Sequence, residues 1–166
     1  MNTLKMDAFD SFHHGWALLT AGVPGDYNTM TISWGSVGCL WSRSVATVYV
    51  RPSRYTYEFM EKYDTFTVSF YPGEYRPALA ILGRESGRDG DKVAKAGLTP
   101  VVFGDGVTFA EASCTLLCRK IYFQDMNPEQ IQEDIREQYY PEGETVHRLY
   151  IGQVLDVREA KDGAGA

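Results

Sequence analysis

The sequence predicts a mainly β, α+β fold: an antiparallel sheet curled into a closed or half-closed barrel, with short helices on its flanks. Three observations carry that expectation. Aromatic residues make up 13% of the 166-residue chain and gather with Val and Thr in short runs, the composition of strands. Turn signals such as Pro24-Gly25-Asp26 and Gly104-Asp105-Gly106 separate the runs. The runs do not alternate with long helical patterns, which disfavours a parallel α/β sheet.

Strands are expected at residues 16–20, 29–36, 45–51, 66–71, 108–111, 113–124 and 148–159. In the second of these, Thr29, Thr31 and Ser33 alternate with Met30, Ile32 and Trp34. A period of two describes a strand with one wet and one dry face, able to border a flat polar cofactor. Between the strands, Ser53 is placed to cap a helix over 54–63, and residues 76–82 and 91–96 read as short helical turns, the latter stopped by Gly97. Residues 128–139, with Ile131 and Ile135 at i and i+4, give a further amphipathic helix. No internal repeat or linker divides the chain, so residues 1–160 are expected as one domain and the small, polar residues 161–166 as a flexible tail. A chain of this length buries about 70% of its unfolded surface and needs no disulfide or metal staple.

Charge and cysteine content narrow the class of function. The net charge of −6 argues against a nucleic-acid binder, which needs a basic face to neutralise phosphates. Residues 51–92 hold seven Lys/Arg and seven Asp/Glu, so the whole deficit lies outside that segment and a small anion can be held there. Three cysteines, Cys39, Cys114 and Cys118, form no C-x-x-C pair, and with no export signal in residues 1–9 the cytoplasm is the expected compartment. Cys114 and Cys118 fall in one strand, about 13 Å apart at the usual rise, too far for a disulfide; they read as buried thiols. No apolar run approaches the roughly 18 residues that cross a membrane.

Several chemistries are excluded by pattern. There is no G-x-G-x-x-G after a strand and no G-x-x-x-x-G-K-[ST], so any nicotinamide must bind without a Rossmann site. His13, His14 and His147, the only histidines, lack helical zinc spacing, and no G-x-S-x-G elbow is present.

What remains suits flavin mononucleotide (FMN). Its phosphate wants cations, hydroxyls and backbone N–H groups at a helix start. Arg51, Ser53, Arg54 and Thr56 stand where a strand gives way to a helix, and Ser86, Gly87, Arg88 and Lys92 form a second cluster. Arg88 reads either as a cation on the rim of the cleft or as a partner of Asp89 or Asp91. The ring wants fixed polar groups along one edge and apolar cover on its faces, which the strand from Asn28 to Trp34 offers.

Four motifs occur in order: Tyr27-Asn28-Thr29-Met30-Thr31-Ile32-Ser33-Trp34-Gly35, Val50-Arg51-Pro52-Ser53-Arg54-Tyr55-Thr56-Tyr57-Glu58-Phe59, Ser86-Gly87-Arg88-Asp89-Gly90-Asp91-Lys92 and Ala96-Gly97-Leu98-Thr99-Pro100. With them the chain resembles the flavin reductase-like family that includes flavoredoxin, over residues 12–157. The resemblance implies an FMN-binding split β-barrel, a homodimer, and non-covalent FMN near the subunit interface. It implies that Asn28 and Trp34 flank the flavin and that the backbone of Met30, Thr31, Ile32 and Ser33 meets the ring. Arg51, Ser53, Arg54 and Thr56 would then approach the phosphate or ribityl chain, with Ser86 and Gly87 beside them and Lys92 as the principal cation. The expected activity is electron transfer from NADH or NADPH through FMN to free flavin, a metal complex, a redox protein or a small oxidised substrate. No side chain need be catalytic, because the chemistry is the flavin's. The alternatives are a flavoredoxin-like electron carrier without NAD(P)H activity and a non-catalytic flavin-binding protein. The segment Val146-His147-Arg148-Leu149-Tyr150-Ile151-Gly152 also looks family-like, with His147 either a structural hydrogen-bonder or a substrate contact.

Overall fold

The computed structural model describes residues 4–160; the expected tail at 161–166 lies outside the described residues. The chain runs through β1 (Ala17–Val23), β2 (Asp26–Ile32), β3 (Gly35–Leu40), β4 (Arg43–Val50), β5 (Thr65–Phe70), β6 (Pro100–Phe103), β7 (Gly106–Phe109), β8 (Cys114–Asp125) and β9 (Arg148–Glu159). Seven of these strands form one sheet in the order β2-β1-β5-β8-β9-β4-β3, and β6 pairs with β7 as a separate hairpin. Every pairing is antiparallel. The sheet's two edges, β2 and β3, are consecutive in sequence yet not hydrogen-bonded to each other, which makes the barrel split.

Helices flank it: α1 (Ala8–Asp10), which runs on as a π-helical turn Ser11–Gly15, then α2 (Tyr55–Lys62), α3 (Arg76–Arg84), α4 (Lys92–Ala96) and α5 (Glu133–Tyr139). Alternation along the strands builds two cores. Leu19, Met30, Ile32, Val48, Val68 and Leu116 fill the barrel, whereas Leu18 turns outward to meet Leu79 and Leu82 of α3 and Phe109 of β7. Phe12 plugs the split: a Cβ at Gly35 would fall 2.4 Å from its ring, so only glycine lets β3 begin there.

Several expectations need correction. The strand expected at 29–36 is two, because Ser33 and Trp34 carry the chain from one sheet edge to the other. Its threonine face is not wet, since α3 covers it. Thr29 is fully buried, its hydroxyl donating to the Leu19 carbonyl at 3.2 Å, and Thr31 donates to the Leu79 carbonyl of α3. Ser53 does not cap α2: the helix starts at Tyr55, Arg54 occupies the N-cap position, and no side chain caps it. The helix expected at 128–139 is a 3-10 turn, Pro128–Gln130, followed by α5, none of whose residues is buried. Helix α4 agrees with expectation, with the Asp91 carboxylate accepting from the Ala94 amide and Gly97 closing it in the left-handed conformation. The reading had no strand at β6 and no helix at α1. Cys114 and Cys118 share β8 as free thiols, Cys118 buried and Cys114 half-buried, and Cys39 is free and exposed. Among the described residues no helix is long and apolar enough to cross a membrane.

Candidate functional site

The start of α2, the end of α3 and the loop leading to α4 converge beside β2. They enclose a cavity of about 90 Å³. Ser53 and Arg54 line it from the turn before α2 and Thr56 from α2 itself, Ser86, Gly87 and Lys92 from the loop and α4, and Asn28 and Met30 from β2. The first amides of a helix lack an acceptor in the preceding turn; the Tyr57 amide of α2 turns back onto the Arg54 carbonyl at 3.0 Å, and with no side-chain cap those of Tyr55 and Thr56 are left to a ligand.

Buried polar contacts fix the cavity's walls. Asn28 Nδ2 donates to Thr56 Oγ1 at 2.8 Å, which leaves the Thr56 hydroxyl proton for another acceptor. A Cβ at Gly87 would lie 2.2 Å from Asn28 Oδ1, so the loop reaches β2 only with glycine at that position. Lys92 is buried, with Nζ donating to the Leu82 and Glu85 carbonyls at 2.9 and 3.0 Å and capping the C-terminal end of α3. One of its three N–H donors remains. Burial, with the Arg54 guanidinium adding to it, pulls the ammonium down to about 8. A cation held in so dry a place is stabilised by a second, anionic partner.

Next along β2 lies a second cavity of about 180 Å³, lined by Met30, Thr31, Ile32, Ser33 and Trp34, by Tyr49 and Arg51 of and beside β4, and by Arg54 and His147. Met30 and Arg54 border both cavities, so the two form successive stations along one edge strand. Trp34 is 39% exposed and stands edge-on to Tyr139, with ring centroids 5.2 Å apart. His147 is buried against Trp34 and bonded through Nδ1 to the Tyr140 hydroxyl. Burial, together with Arg51 and Arg54, pulls its imidazole down to about 4, so it is neutral at pH 7.

All thirteen candidate residues read from the sequence line one or other cavity. They are sorted differently from the expectation. Asn28 stands with the cationic cluster and not opposite Trp34. Arg51 lies at the aromatic end, its guanidinium donating to Glu144 and to the Tyr139 carbonyl. Arg88 pairs with Glu58, not with Asp89 or Asp91, and lies over the Tyr55 ring at 4.6 Å. The sequence reading missed Tyr49 and the aromatic wall of Tyr139 and Tyr140. Their signal is weak, because Tyr49 is one alternate position of a strand and α5 carries no motif. Among the described residues no group of three or more His, Cys, Asp or Glu is arranged to hold a metal.

The chemistry of the two stations is that of a phosphate end, rich in donors, and a flat-ring end, walled by Met30, Ile32, Trp34 and Tyr49. Both ends suit FMN. Among solved structures, flavoredoxin from Methanosarcina acetivorans is similar at 18% identity and a TM-score of 0.71, over 97% of this chain and 77% of that one. An FMN-binding protein from Thermus thermophilus with bound p-hydroxybenzaldehyde is similar at 19% identity and a TM-score of 0.70, over 100% and 86%. An NADH:FAD oxidoreductase of Streptomyces globisporus matches at 15% and 0.68, over 88% and 75%. At such identities the likeness is one of fold. No curated protein matches the sequence. The family described as flavin reductase like domain matches residues 9–166, and with nearly the whole chain spanned, this protein belongs to that family.

Proposed function

We propose that the chain binds FMN non-covalently along β2 and works as an oxidoreductase that takes electrons from NADH or NADPH and passes them to an acceptor. The observation that carries this reading is the pair of adjoining cavities sharing Met30 and Arg54, one built for an anion and the other for a ring. The phosphate would be held by the uncapped start of α2, the Thr56 hydroxyl, Ser53, Arg54 and the remaining donor of Lys92, with Ser86 and Gly87 closing the loop over it. The ring would meet the backbone from Met30 to Ser33, with Trp34 beside it. Bound flavin supplies the hydride and electron transfer; the protein binds it, orients it and shields it from water. The solved neighbours support the reading by kind, since one is described as FMN-binding, one as a flavoredoxin and one as an NADH:FAD oxidoreductase.

The protein is one domain over residues 1–160 in this reading, cytoplasmic in keeping with its free thiols, and a homodimer. Exposed Trp41 and Tyr122, with ring centroids 6.4 Å apart, and the exposed Phe123 and Leu155 give a second copy apolar surface to cover. Without a Rossmann fingerprint, the nicotinamide would be held chiefly by stacking, so its affinity is weak and its choice between NADH and NADPH modest. The acceptor class includes small ring carbonyl compounds, the kind seen bound in the Thermus protein.

Purified protein is expected to be yellow, or to become so with FMN, and anaerobic NADH or NADPH to bleach it in stopped-flow absorbance. Absence of flavin binding by titration would overturn the cofactor. Full bleaching by dithionite but none by either nucleotide would leave an electron carrier reduced by a partner protein. A flavin that reacts with no physiological donor would leave a binding protein.

A further inference from the structure

Residues 126–147 join β8 to β9 as an arm that the barrel barely covers. No residue of α5 is buried, and in the whole arm only His147, at its root, is. The arm is fastened where the Met126 amide donates to the His147 carbonyl, and where Arg51 donates to Glu144 and to the Tyr139 carbonyl.

Periodicity sorts the faces of α5. Ile135 and Tyr139, one turn apart, form an apolar stripe left 42% and 38% exposed. Tyr139 lies edge-on to Trp34, so the stripe sits beside the ring-end cavity that Trp34 walls. Glu133 and Glu137, also one turn apart, stand on the opposite side of the helix.

The charge of the arm is lopsided. It carries Glu129, Glu133, Asp134, Glu137, Glu142 and Glu144 against Arg136 alone, which is net −5 of the chain's −6. Glu144 is held by Arg51; the other five carboxylates are exposed and form no ion pair among the described residues. A second copy docked on this face through a two-fold contact would set like charge against like. Nucleic acid and anionic membranes are repelled in the same way. A protein with Lys and Arg around an apolar centre is attracted, and its encounter is steered to the end of the molecule where the ring lies.

We propose that the arm docks an electron-transfer protein with a basic face. This rests on the proposed flavin reading for the source of the electrons. Two electrons are available per reduced flavin, so two ferric haems are each reduced by one in turn, and the flavin protons go to water.

Docking is read first, without flavin. The ¹⁵N-labelled chain is titrated with cytochrome c, a basic haem protein, at low salt, and the shifted amides are mapped by NMR. Shifts are expected over α5 and around Glu142, fading by about 0.3 M salt. Shifts centred elsewhere, or none, overturn the proposal. Replacing Glu133→Gln, Asp134→Asn and Glu137→Gln together is expected to weaken the complex roughly tenfold, and Ile135→Ser, which keeps every charge, about threefold. Affinity unchanged in Ile135→Ser would reduce the contact to bulk attraction and overturn the docking site. So would hydrogen exchange in α5 that slows as the protein is concentrated, because a second copy would then cover the helix.

FMN-loaded protein, reduced anaerobically by dithionite, is then mixed with ferric cytochrome c in stopped flow. The triple variant should reduce the haem about tenfold more slowly at low salt, while ferricyanide, a small anion that needs no docking face, is reduced no more slowly than by the unsubstituted protein. Slowing of both acceptors or of neither overturns the proposal. Failure to load FMN would sink the proposed function and leave the mapped docking face standing.

Discussion

Raising the pH should weaken FMN binding by titrating one buried ammonium. Lys92 is held down from 10.5 to about 8, first by burial and then by the Arg54 guanidinium, while Glu85 opposes the shift. A bound phosphate dianion brings charge to that ammonium and returns its pKa to the ordinary range. Binding FMN above pH 8 therefore requires uptake of a proton. With the pKa at about 8 when free and 10.5 when bound, affinity falls about tenfold between pH 7 and pH 9, roughly 1.4 kcal/mol. The flavin phosphate is already fully ionised across this window, its second pKa being near 6. Riboflavin, which carries the ring and sugar chain but no phosphate, is the control and should bind almost independently of pH over the same range. Fluorescence-quenching titrations of both ligands at pH 7, 8 and 9 give the two curves. Calorimetry in buffers of different ionisation heat should show close to one proton taken up with FMN at pH 9. Parallel curves for FMN and riboflavin would refute the placement of Lys92 at the phosphate.

Gly87→Ala sets a Cβ 2.2 Å from Asn28 Oδ1 and forces that amide off Thr56, so FMN affinity should fall by about tenfold or more in the same titration. Gly35→Ala drives a methyl into the Phe12 ring, so about 1–3 kcal/mol of stability should be lost in urea melts. His147, held neutral with its pKa at about 4 instead of 6.5, binds fewer protons folded than unfolded in that interval. Its contribution is therefore complete above pH 6.5 and is lost as pH falls toward 4, at no more than about 1.4 kcal/mol per pH unit, and His147→Asn should flatten that limb of the stability profile.

Much of the fold was legible because it is local. Short Thr-, Val- and aromatic-rich runs bounded by turns mark β1, β4, β5, β8 and β9 to within a few residues, and Asp91 and Gly97 bracket α4 by capping chemistry that needs no knowledge of the rest. What could not be read depends on partners distant in sequence. Thr29 and Thr31 look solvated from their own segment. Thr29 is buried with its hydroxyl on the Leu19 carbonyl, and Thr31 is half-buried because α3, nearly fifty residues later, supplies the Leu79 carbonyl. The break between β2 and β3 carries no turn signature, since Ser33 and Trp34 make no tight turn but pass between opposite edges of an open sheet. At the site, the motifs gave the residue set, and geometry then sorted it. Arg51 and Ser53 are near neighbours in sequence yet face different cavities, because the strand ends at Val50 and the chain turns before α2.

The same separation explains why Ser53 is poorly described as a helix cap. Had its hydroxyl turned back onto α2, it would have satisfied one of the amides that the phosphate end needs. The start of α2 is instead left uncapped, and the end of α3 is capped by Lys92 from another element. One helix thus offers positive dipole to the cavity. The negative end of the other is neutralised by the cation that lines it. An anion seated between them satisfies donors that the fold leaves open, so the local stability of this corner is coupled to ligand binding. The loop from Ser86 to Asp91, pinned to β2 by the contact of Gly87 with Asn28, is where that coupling acts. The groups that hold the loop in place are the ones to which the proposed reading gives the phosphate, so a single motif in the sequence carries both roles.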